Sequence, residues 1–279
     1  MRDMTDTGLP FAKMHGLGND FLVIDGRSTP VDVTPALARA LGDRHRGVGF
    51  DQLAVIASSE QADLALRFWN ADGSESSTCG NATRCIARAE LDRIGREHLT
   101  IATERGVLVA RDAGGGLTSV NLGAPRLLWH EIPLAGPMDT LELPIEGRPT
   151  ATSMGNPHCT FFVEDAEAVD LGRFGPAHEH HPLFPHRTNV QVVQVLSRSR
   201  LRMRVWERGA GYTLASGSSS CAVTVAAARR GLAEREVTVV LDGGELRIHW
   251  TEDGVWMTGP TAYVFSGVLT PEFLKEALA

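Results

Sequence analysis

The chain has 279 residues, 43% hydrophobic and 22% charged, which is ordinary for a globular protein and enough for two medium domains or one large one. Its net charge of −7 and pI of about 5.8 speak against a nucleic-acid partner. The polar stretch Met1 to Pro10 has no signal-peptide core, and the most apolar helix pattern, Cys221 to Ala228, is too short to cross a bilayer, so no membrane partner and a cytoplasmic location are expected.

In chain order, a helix is predicted at Thr34–Gly42 with Thr34 as N-cap, following a strand at Phe21–Asp25. Strands follow at Gln52–Ala57 and Asp63–Trp69, then a helix at Gly80–Ile94, then strands at Leu99–Thr103, Val107–Arg111 and Thr118–Leu122. Gly114-Gly115-Gly116 reads as a hairpin turn rather than a phosphate loop. The Pro-containing stretch Gly123 to Pro137 breaks the pattern and suits a domain crossover. Strands resume at Thr150–Met154, Cys159–Val163, Asn189–Val195, Leu201–Trp206, Glu236–Leu241, Glu245–Trp250 and Tyr263–Leu269. One helix is predicted among them at Gly217–Gly231, and a short one at Pro271–Leu278.

The Gly217 helix is apolar on nearly every side, so it must be buried, and a strand-rich domain buries a helix most simply by curling its sheet around it. The expected fold is α+β: two similar domains, each a mixed curved β-sheet wrapped around a central helix, with the active site in the cleft between them. The expected bounds are 1–123 plus 265–279 for the first domain and 124–264 for the second.

Two helix-opening turns answer each other. Asn70-Ala71-Asp72-Gly73-Ser74-Glu75-Ser76-Ser77-Thr78-Cys79-Gly80-Asn81 opens the first helix, and Glu207-Arg208-Gly209-Ala210-Gly211-Tyr212-Thr213-Leu214-Ala215-Ser216-Gly217-Ser218 opens the second. Each sets a small nucleophilic side chain and a glycine at a helix N-terminus, whose unpaired N–H groups bind carboxylates and lower a nearby thiol's pKa. Of the four cysteines, Cys79 lies in a polar turn and reads as reactive. Cys85 and Cys221 lie on apolar helix faces, and Cys159 at a strand start, so these read as structural. Only Lys13 and Lys275 could anchor pyridoxal. No His/Cys spacing matches a zinc site, and no phosphate-binding glycine motif follows a strand. No metal and no cofactor are expected. His158, behind Gly155-Asn156-Pro157, reads as a site residue. Glu207-Arg208 before Gly209-Ala210-Gly211 is balanced between a solvated strand end and a site. His178, His180, His181 and His186, interrupted by Pro182 and Pro185, read as a solvated loop.

Together these segments resemble the diaminopimelate epimerase family. The matching stretches are Lys13-Met14-His15-Gly16-Leu17-Gly18-Asn19-Asp20-Phe21, Gly47 to Gln52, Asn70 to Cys85, Gly155 to His158, His181 to Pro185 with Arg187 to Val190, and Glu207 to Gly217. The resemblance implies two domains of like fold and a cofactor-independent and metal-independent exchange of LL- and meso-diaminopimelate, on the route to lysine and peptidoglycan. Two cysteines then flank the α-carbon, a thiolate removing the proton and a thiol delivering one to the opposite face. Carried onto this chain, Cys79 is one of these and Ser216 stands in the other's place, with His158 partnering Cys79 and Glu207 partnering Ser216. Asn19, Asn70, Asn156, Asn189, Glu207 and Arg208 grip the distal end of a small amino-acid substrate. Gly80-Asn81 and Gly217-Ser218 offer N–H groups to the reacting carboxylate, and Gln52 lines the pocket. A homodimer is the assembly expected, although nothing in the sequence fixes it.

The chain departs from the family pattern twice. Tyr212 stands where the family usually has Glu. Ser216 replaces a thiol with a hydroxyl, a far weaker acid and a poor base. Three explanations compete: an engineered Cys→Ser replacement, a natural variant in which Ser216 and Glu207 still relay a proton, or changed chemistry. In proline-racemase-like enzymes the loss of one cysteine accompanies altered reactions. The alternatives are therefore a related cofactor-independent amino-acid epimerase, racemase or dehydratase, or a silent amino-acid-binding homologue.

Overall fold

The computed structural model describes residues 8–278; of the N-terminal stretch read above, residues 1–7 lie outside that range. Leu9–Gly16 (β1) and Asn19–Asp25 (β2) are joined by Leu17 and Gly18, both at positive φ (58° and 86°). A two-residue turn of that hand follows the twist of an antiparallel pair and pins Gly16 opposite Asn19. Pro35–Gly42 (α1) starts as the sequence predicts, with Thr34 Oγ1 accepting the Leu37 N–H at 3.1 Å. Gln52–Ala57 (β3), Leu64–Asn70 (β4) and Glu75–Ser76 (β5) lead into Gly80–Ile94 (α2), followed by His98–Thr103 (β6) and Gly106–Gly114 (β7).

Leu117–Asn121 (β8) precedes a second series: Thr150–Ser153 (β9), Pro157–Val163 (β10), Leu171–Glu179 (α3), Asn189–Ser197 (β11), Arg200–Glu207 (β12) and Gly211–Thr213 (β13). It continues through Gly217–Arg229 (α4), Glu236–Leu241 (β14), Gly244–Thr251 (β15) and Gly254–Pro260 (β16). Ala262–Leu269 (β17) and Pro271–Leu278 (α5) close the chain. The molecule divides into two compact units: one ends at Thr118 and resumes at Pro260, and the other is Ser119–Gly259.

Each unit is an α+β layer structure, and the two share one topology. In the first, β1–β2 is antiparallel, β2–β3 parallel, β3–β4 and β4–β5 antiparallel, β4–β6 parallel and β6–β7 antiparallel. In the second, β9–β10, β10–β11, β11–β12, β12–β13, β12–β14 and β14–β15 repeat that series of directions without exception. The helices α1 and α3 occupy matching places, as do α2 and α4. The repeat is therefore real, although the two halves share little sequence. In each unit the later helix touches strands from separated parts of the sheet: α2 meets β1, β2, β6 and β7, and α4 meets β9, β10, β11, β14 and β15. The sheet curves around it, and α4 is buried without a break from Gly217 to Ala227.

The reading of the second half, with one helix among its strands, needs correction. The His-rich segment read as a solvated loop begins inside α3, which carries Pro176 and so hides its helical period. Asp170 caps it, accepting the Arg173 N–H at 3.3 Å. Gly175 is required there because a Cβ would lie 2.4 Å from Trp206 Cγ. His178 is no surface residue: its ring packs 4.1 Å from that of Phe174 and 4.6 Å from that of Phe161, centroid to centroid. The strands β1, β5, β13 and β16 are additions to those predicted.

Candidate active site

The register of the repeat assigns equivalent positions. Gln52 faces Asn70 across β3–β4, and Phe68 faces Ser76 across β4–β5. In the second unit Val205 faces Thr213 across β12–β13. Ser76 thus corresponds to Thr213, and three residues onward Cys79 corresponds to Ser216. Both are N-caps with extended backbone, at φ −147°, ψ 96° and φ −140°, ψ 117°, and both are nearly buried, at 7% and 3% exposure. Each leads into first-turn N–H groups with no partner inside the helix, Gly80 and Asn81 in one case and Gly217 and Ser218 in the other, a ready carboxylate site.

In the first unit, Cys79 Sγ accepts the Ala82 N–H at 3.4 Å. Thr83 Oγ1 donates to the Cys79 carbonyl at 2.8 Å and locks the turn. Asn19 Nδ2 donates to Asp51 Oδ2 (2.8 Å), Asn81 Nδ2 to Asn19 Oδ1 (3.1 Å), and the fully buried Arg84 to Asn81 Oδ1 (2.8 Å). Because Asp51 accepts and Arg84 only donates, both amides are held in one orientation. Gln52 Nε2 donates to Asn70 Oδ1 at 3.1 Å and to Ser76 Oγ at 3.3 Å.

Asp20 lies behind Asn19, accepting from Lys13 Nζ (2.6 Å) and from Arg44 (2.8 and 3.0 Å). Burial opposes its ionisation, but hydrogen bonds and charge from Arg44 and Lys13 outweigh burial and lower its pKa to about 2. The neighbouring Asp51 is pushed up, first by burial and then by the charge of Asp20, against the hydrogen bond from Asn19. A carboxyl with a depressed folded-state pKa stabilises fully above its unfolded value near 4 and loses that contribution as pH falls toward 2. Asp20→Asn should therefore lower the Tm at pH 7 by several degrees, and the difference from the unsubstituted protein should shrink as pH falls from 4 to 2. A difference constant over that range in thermal melts would contradict the assignment.

In the second unit, Ser216 Oγ lies 2.8 Å from Glu207 Oε2, whose other oxygen accepts Thr213 Oγ1 at 2.7 Å. His158 is fully buried; its Nε2 meets Asn156 Oδ1 at 2.9 Å and its Nδ1 meets Gln191 Nε2 at 3.0 Å. Asn156 Nδ2 donates to Ser218 Oγ at 3.4 Å, Asn189 Nδ2 to the Pro157 carbonyl at 2.9 Å, and the Arg208 N–H to Asn189 Oδ1 at 3.0 Å. The Arg208 guanidinium donates to the His186 carbonyl at 3.3 Å. Among the described residues no carboxylate pairs with it within ion-pair distance, and its pKa is lowered by burial first and by the Arg187 charge second.

The predicted residues Asn19, Gln52, Asn70, Cys79, Gly80 and Asn81 thus gather at the start of α2. Asn156, His158, Asn189, Glu207, Arg208, Ser216, Gly217 and Ser218 gather at the start of α4. The other thiols are buried; burial pushes Cys85 up to about 11, against the Arg84 charge, and raises Cys159 as well. Tyr212 is exposed and its hydroxyl donates to Asp242 Oδ2 at 2.8 Å. Among the described residues no group of three His, Cys, Asp or Glu is placed to hold a metal ion, and no helix is long and apolar enough to cross a membrane.

Several residues of the site were not singled out from sequence. Asp51 and Arg84 orient the amides of Asn19 and Asn81. Glu179, hidden in the His-rich run, accepts Trp206 Nε1 (2.7 Å) and the Gly209 N–H (2.9 Å), and so holds the Glu207-Arg208-Gly209 turn. Gln191 and Ser219 connect His158 to Ser216. Three adjacent serines in an otherwise apolar buried helix were the one legible signal for Ser219.

A paired-domain α+β fold with a thiol and a hydroxyl at the N-cap positions of repeated helix starts defines a class, the isomerases of the racemase and epimerase type, and the comparisons agree. The fold recurs in a phenazine biosynthesis protein of the PhzF family from Bacillus anthracis (TM-score 0.69, 16% identity, 94% of this chain and 98% of that one). It also recurs in a hydroxyproline epimerase from Agrobacterium vitis with bound trans-4-hydroxy-L-proline (TM-score 0.66, 14% identity, 94% and 92%). The sequence profile described as diaminopimelate epimerase matches residues 11–128 and 150–264. Diaminopimelate epimerase of Rhodospirillum centenum is 52% identical over 275 residues, 96% of this chain and 94% of that protein. That of Acidiphilium cryptum is 50% identical over 271 residues, 95% and 98% respectively. The chain belongs to the diaminopimelate epimerase family.

Proposed function

We propose that the protein interconverts LL- and meso-diaminopimelate by moving one proton at the α-carbon, with Cys79 serving one face and the Ser216–Glu207 pair the other. The observation that carries this reading is the repeated N-cap position, with an acid–base side chain at both helix starts. In one direction the Cys79 thiolate takes the α-proton, while Ser216 delivers its hydroxyl proton to the opposite face and regains one from protonated Glu207. In the other direction the Glu207 carboxylate draws the Ser216 proton as Ser216 takes the α-proton, and the Cys79 thiol delivers its own. Carbanion charge spreads onto the substrate carboxylate, where the first-turn N–H groups of α2 and α4 stabilise it. No cofactor enters this scheme. His158, fixed by Asn156 and Gln191, is the partner assigned to Cys79. A reactive free thiol suits the reducing cytoplasm, and the reaction belongs to the synthesis of lysine and peptidoglycan precursors.

Arg208 argues for a substrate with a second carboxylate. Among the described residues no carboxylate lies within ion-pair distance of its guanidinium, which leaves the group open to the charge of a ligand, and Asn70, Asn156 and Asn189 add amides for the distal amino-acid group. Arg208→Gln should raise KM by about 10–10²-fold with a smaller change in kcat, because a distal ion pair holds ground state and transition state alike. Incubation of both epimers in heavy water, read by loss of the α-proton signal, tests the whole reading. Exchange of LL- and meso-diaminopimelate is expected, and exchange of neither would refute it. Ser216 itself supports a second reading, a related amino-acid epimerase, racemase or dehydratase, which exchange confined to another amino acid would reveal.

The proposed assembly is a homodimer through β17. Among the described residues this strand pairs with β1 alone. It exposes Tyr263 (59%), Phe265 (47%) and Val268 (60%), and a long apolar edge strand recruits another chain. Sedimentation should give a dimer, and Phe265→Asp a monomer; a monomeric unsubstituted protein would exclude the assembly.

A further inference from the structure

The turns that precede the two helix starts are built alike and fastened with opposite polarity. In the first unit the Asn70 N–H donates to the Ser74 carbonyl at 2.8 Å and closes a loop of Ala71, Asp72 and Gly73, inside which the Gly73 N–H donates to the Asn70 carbonyl at 3.0 Å. In the second, Glu207 faces Gly211 across Arg208, Gly209 and Ala210, and the Ala210 N–H donates to the Glu207 carbonyl at 3.1 Å. Arg208 therefore stands where the first unit has Ala71, and Gly209 where it has Asp72. The first loop is held from α1, whose Arg39 donates to the Asp72 carbonyl at 3.3 Å. The second is held from α3, the helix in the matching place, whose Glu179 accepts the Gly209 N–H at 2.9 Å. A cation fastens the loop that bears an acid, and a carboxylate fastens the loop that bears Arg208.

Glu179 is ill placed by local rules. It ends α3, where the helix dipole disfavours a carboxylate, and it is 4% exposed, where a carboxylate needs partners. Both oxygens have one. Oε2 accepts Trp206 Nε1 at 2.7 Å, and Oε1 accepts the Gly209 N–H and, at 3.5 Å, Arg187 Nη1. An indole N–H and a peptide N–H can only donate, so a carboxylate satisfies both, whereas an amide has one acceptor oxygen to offer. Gly209 and Ala210 are exposed, yet two successive N–H groups of this loop are tied inward, that of Arg208 to Asn189 Oδ1 at 3.0 Å and that of Gly209 to Glu179. Glu179 is near enough for its charge to act on the Arg208 guanidinium, but among the described residues the two form no ion pair.

We propose that Glu179 is the positioning residue for Arg208 and thereby sets the preference of the distal subsite for an anion. It fixes the loop on the C-terminal side of Arg208 and balances the guanidinium charge from a distance, so that the guanidinium is steadied without being occupied. A substrate carboxylate then meets a cation already in place and loses little to ordering it. The inference rests on the reading of Arg208 as the partner of a second carboxylate.

Two measurements test it. The first needs no substrate: hydrogen exchange at the Gly209 amide, followed by NMR. In the unsubstituted protein that exposed N–H should exchange on the order of 10²-fold slower than in an unstructured chain, because it is bonded to a buried carboxylate. A free-chain rate overturns the proposal, whether or not any variant folds. In Glu179→Gln one acceptor oxygen remains, so the Gly209 amide or the Trp206 indole N–H should exchange about tenfold faster. The second measurement is kinetic. Glu179→Gln should raise KM for diaminopimelate about tenfold and leave kcat within about threefold, whereas a general loss of packing would lower kcat as well. In the Arg208→Gln background the same substitution should change KM less than about twofold, because its effect passes through Arg208. Arg187→Gln, which removes the 3.5 Å contact and spares both N–H donors, should leave KM within about twofold. An unmoved KM in Glu179→Gln, or an equal rise with Arg208 already replaced, overturns the proposal. Slow exchange at Gly209, hastened in Glu179→Gln, in a protein that exchanges neither epimer of diaminopimelate leaves Glu179 assigned to Arg208 and removes the substrate reading instead.

Discussion

Cys79→Ala is expected to remove α-proton exchange, a loss on the order of 10⁴-fold, the upper range for a positioned acid–base group. Cys79 is the one thiol at a helix start. Its sulfur accepts a first-turn N–H, at the positive end of the helix. Burial raises Cys85 and Cys159 away from ionisation, and Cys221 is wholly enclosed in α4, so none of the three can substitute. Cys85→Ala should accordingly leave exchange intact. Deuterium wash-in to LL- and meso-diaminopimelate, followed by NMR for both variants, decides the matter. Full exchange by the Cys79→Ala protein would show that another group takes the proton and would remove the mechanism built on the two helix starts.

Ser216→Cys is expected to raise epimerisation by roughly 10²–10⁴-fold, the range by which a positioned acid–base group contributes. A thiol ionises far nearer neutral pH than a hydroxyl, so it serves as both acid and base where Ser216 depends on Glu207. Substrate affinity should change little, because the N–H groups of Gly217 and Ser218 and the Arg208 guanidinium stay in place. Steady-state rates in both directions, with KM measured alongside, give the comparison. A rate that stays level or falls would mean that the surroundings of position 216, Glu207 and Ser219, are tuned to a hydroxyl, and it would favour the reading of changed chemistry.

The sequence by itself determined most of the local elements and the family. Thr34 before Pro35, the alternation of Gln52–Ala57 and the unbroken apolar run of α4 are local patterns, and local sterics and burial suffice to read them. The two turns carrying Cys79 and Ser216 were legible for the same reason: a cap residue, a glycine and a following helix lie within a few positions of one another. Tertiary structure alone decided the rest. The helix α3 escaped notice because Pro176 breaks its period and Gly175 is chosen for contact with Trp206, a partner 31 positions away in sequence. The likeness of the turns at 79 and 216 was legible, but the strand register that gives the two residues matching positions depends on pairing between distant segments and leaves no trace in composition. The roles of Asp51, Arg84, Glu179 and Gln191 were invisible along the chain. Each is a polar side chain whose meaning lies in the one buried atom it meets, and only the folded backbone brings that atom within hydrogen-bond distance.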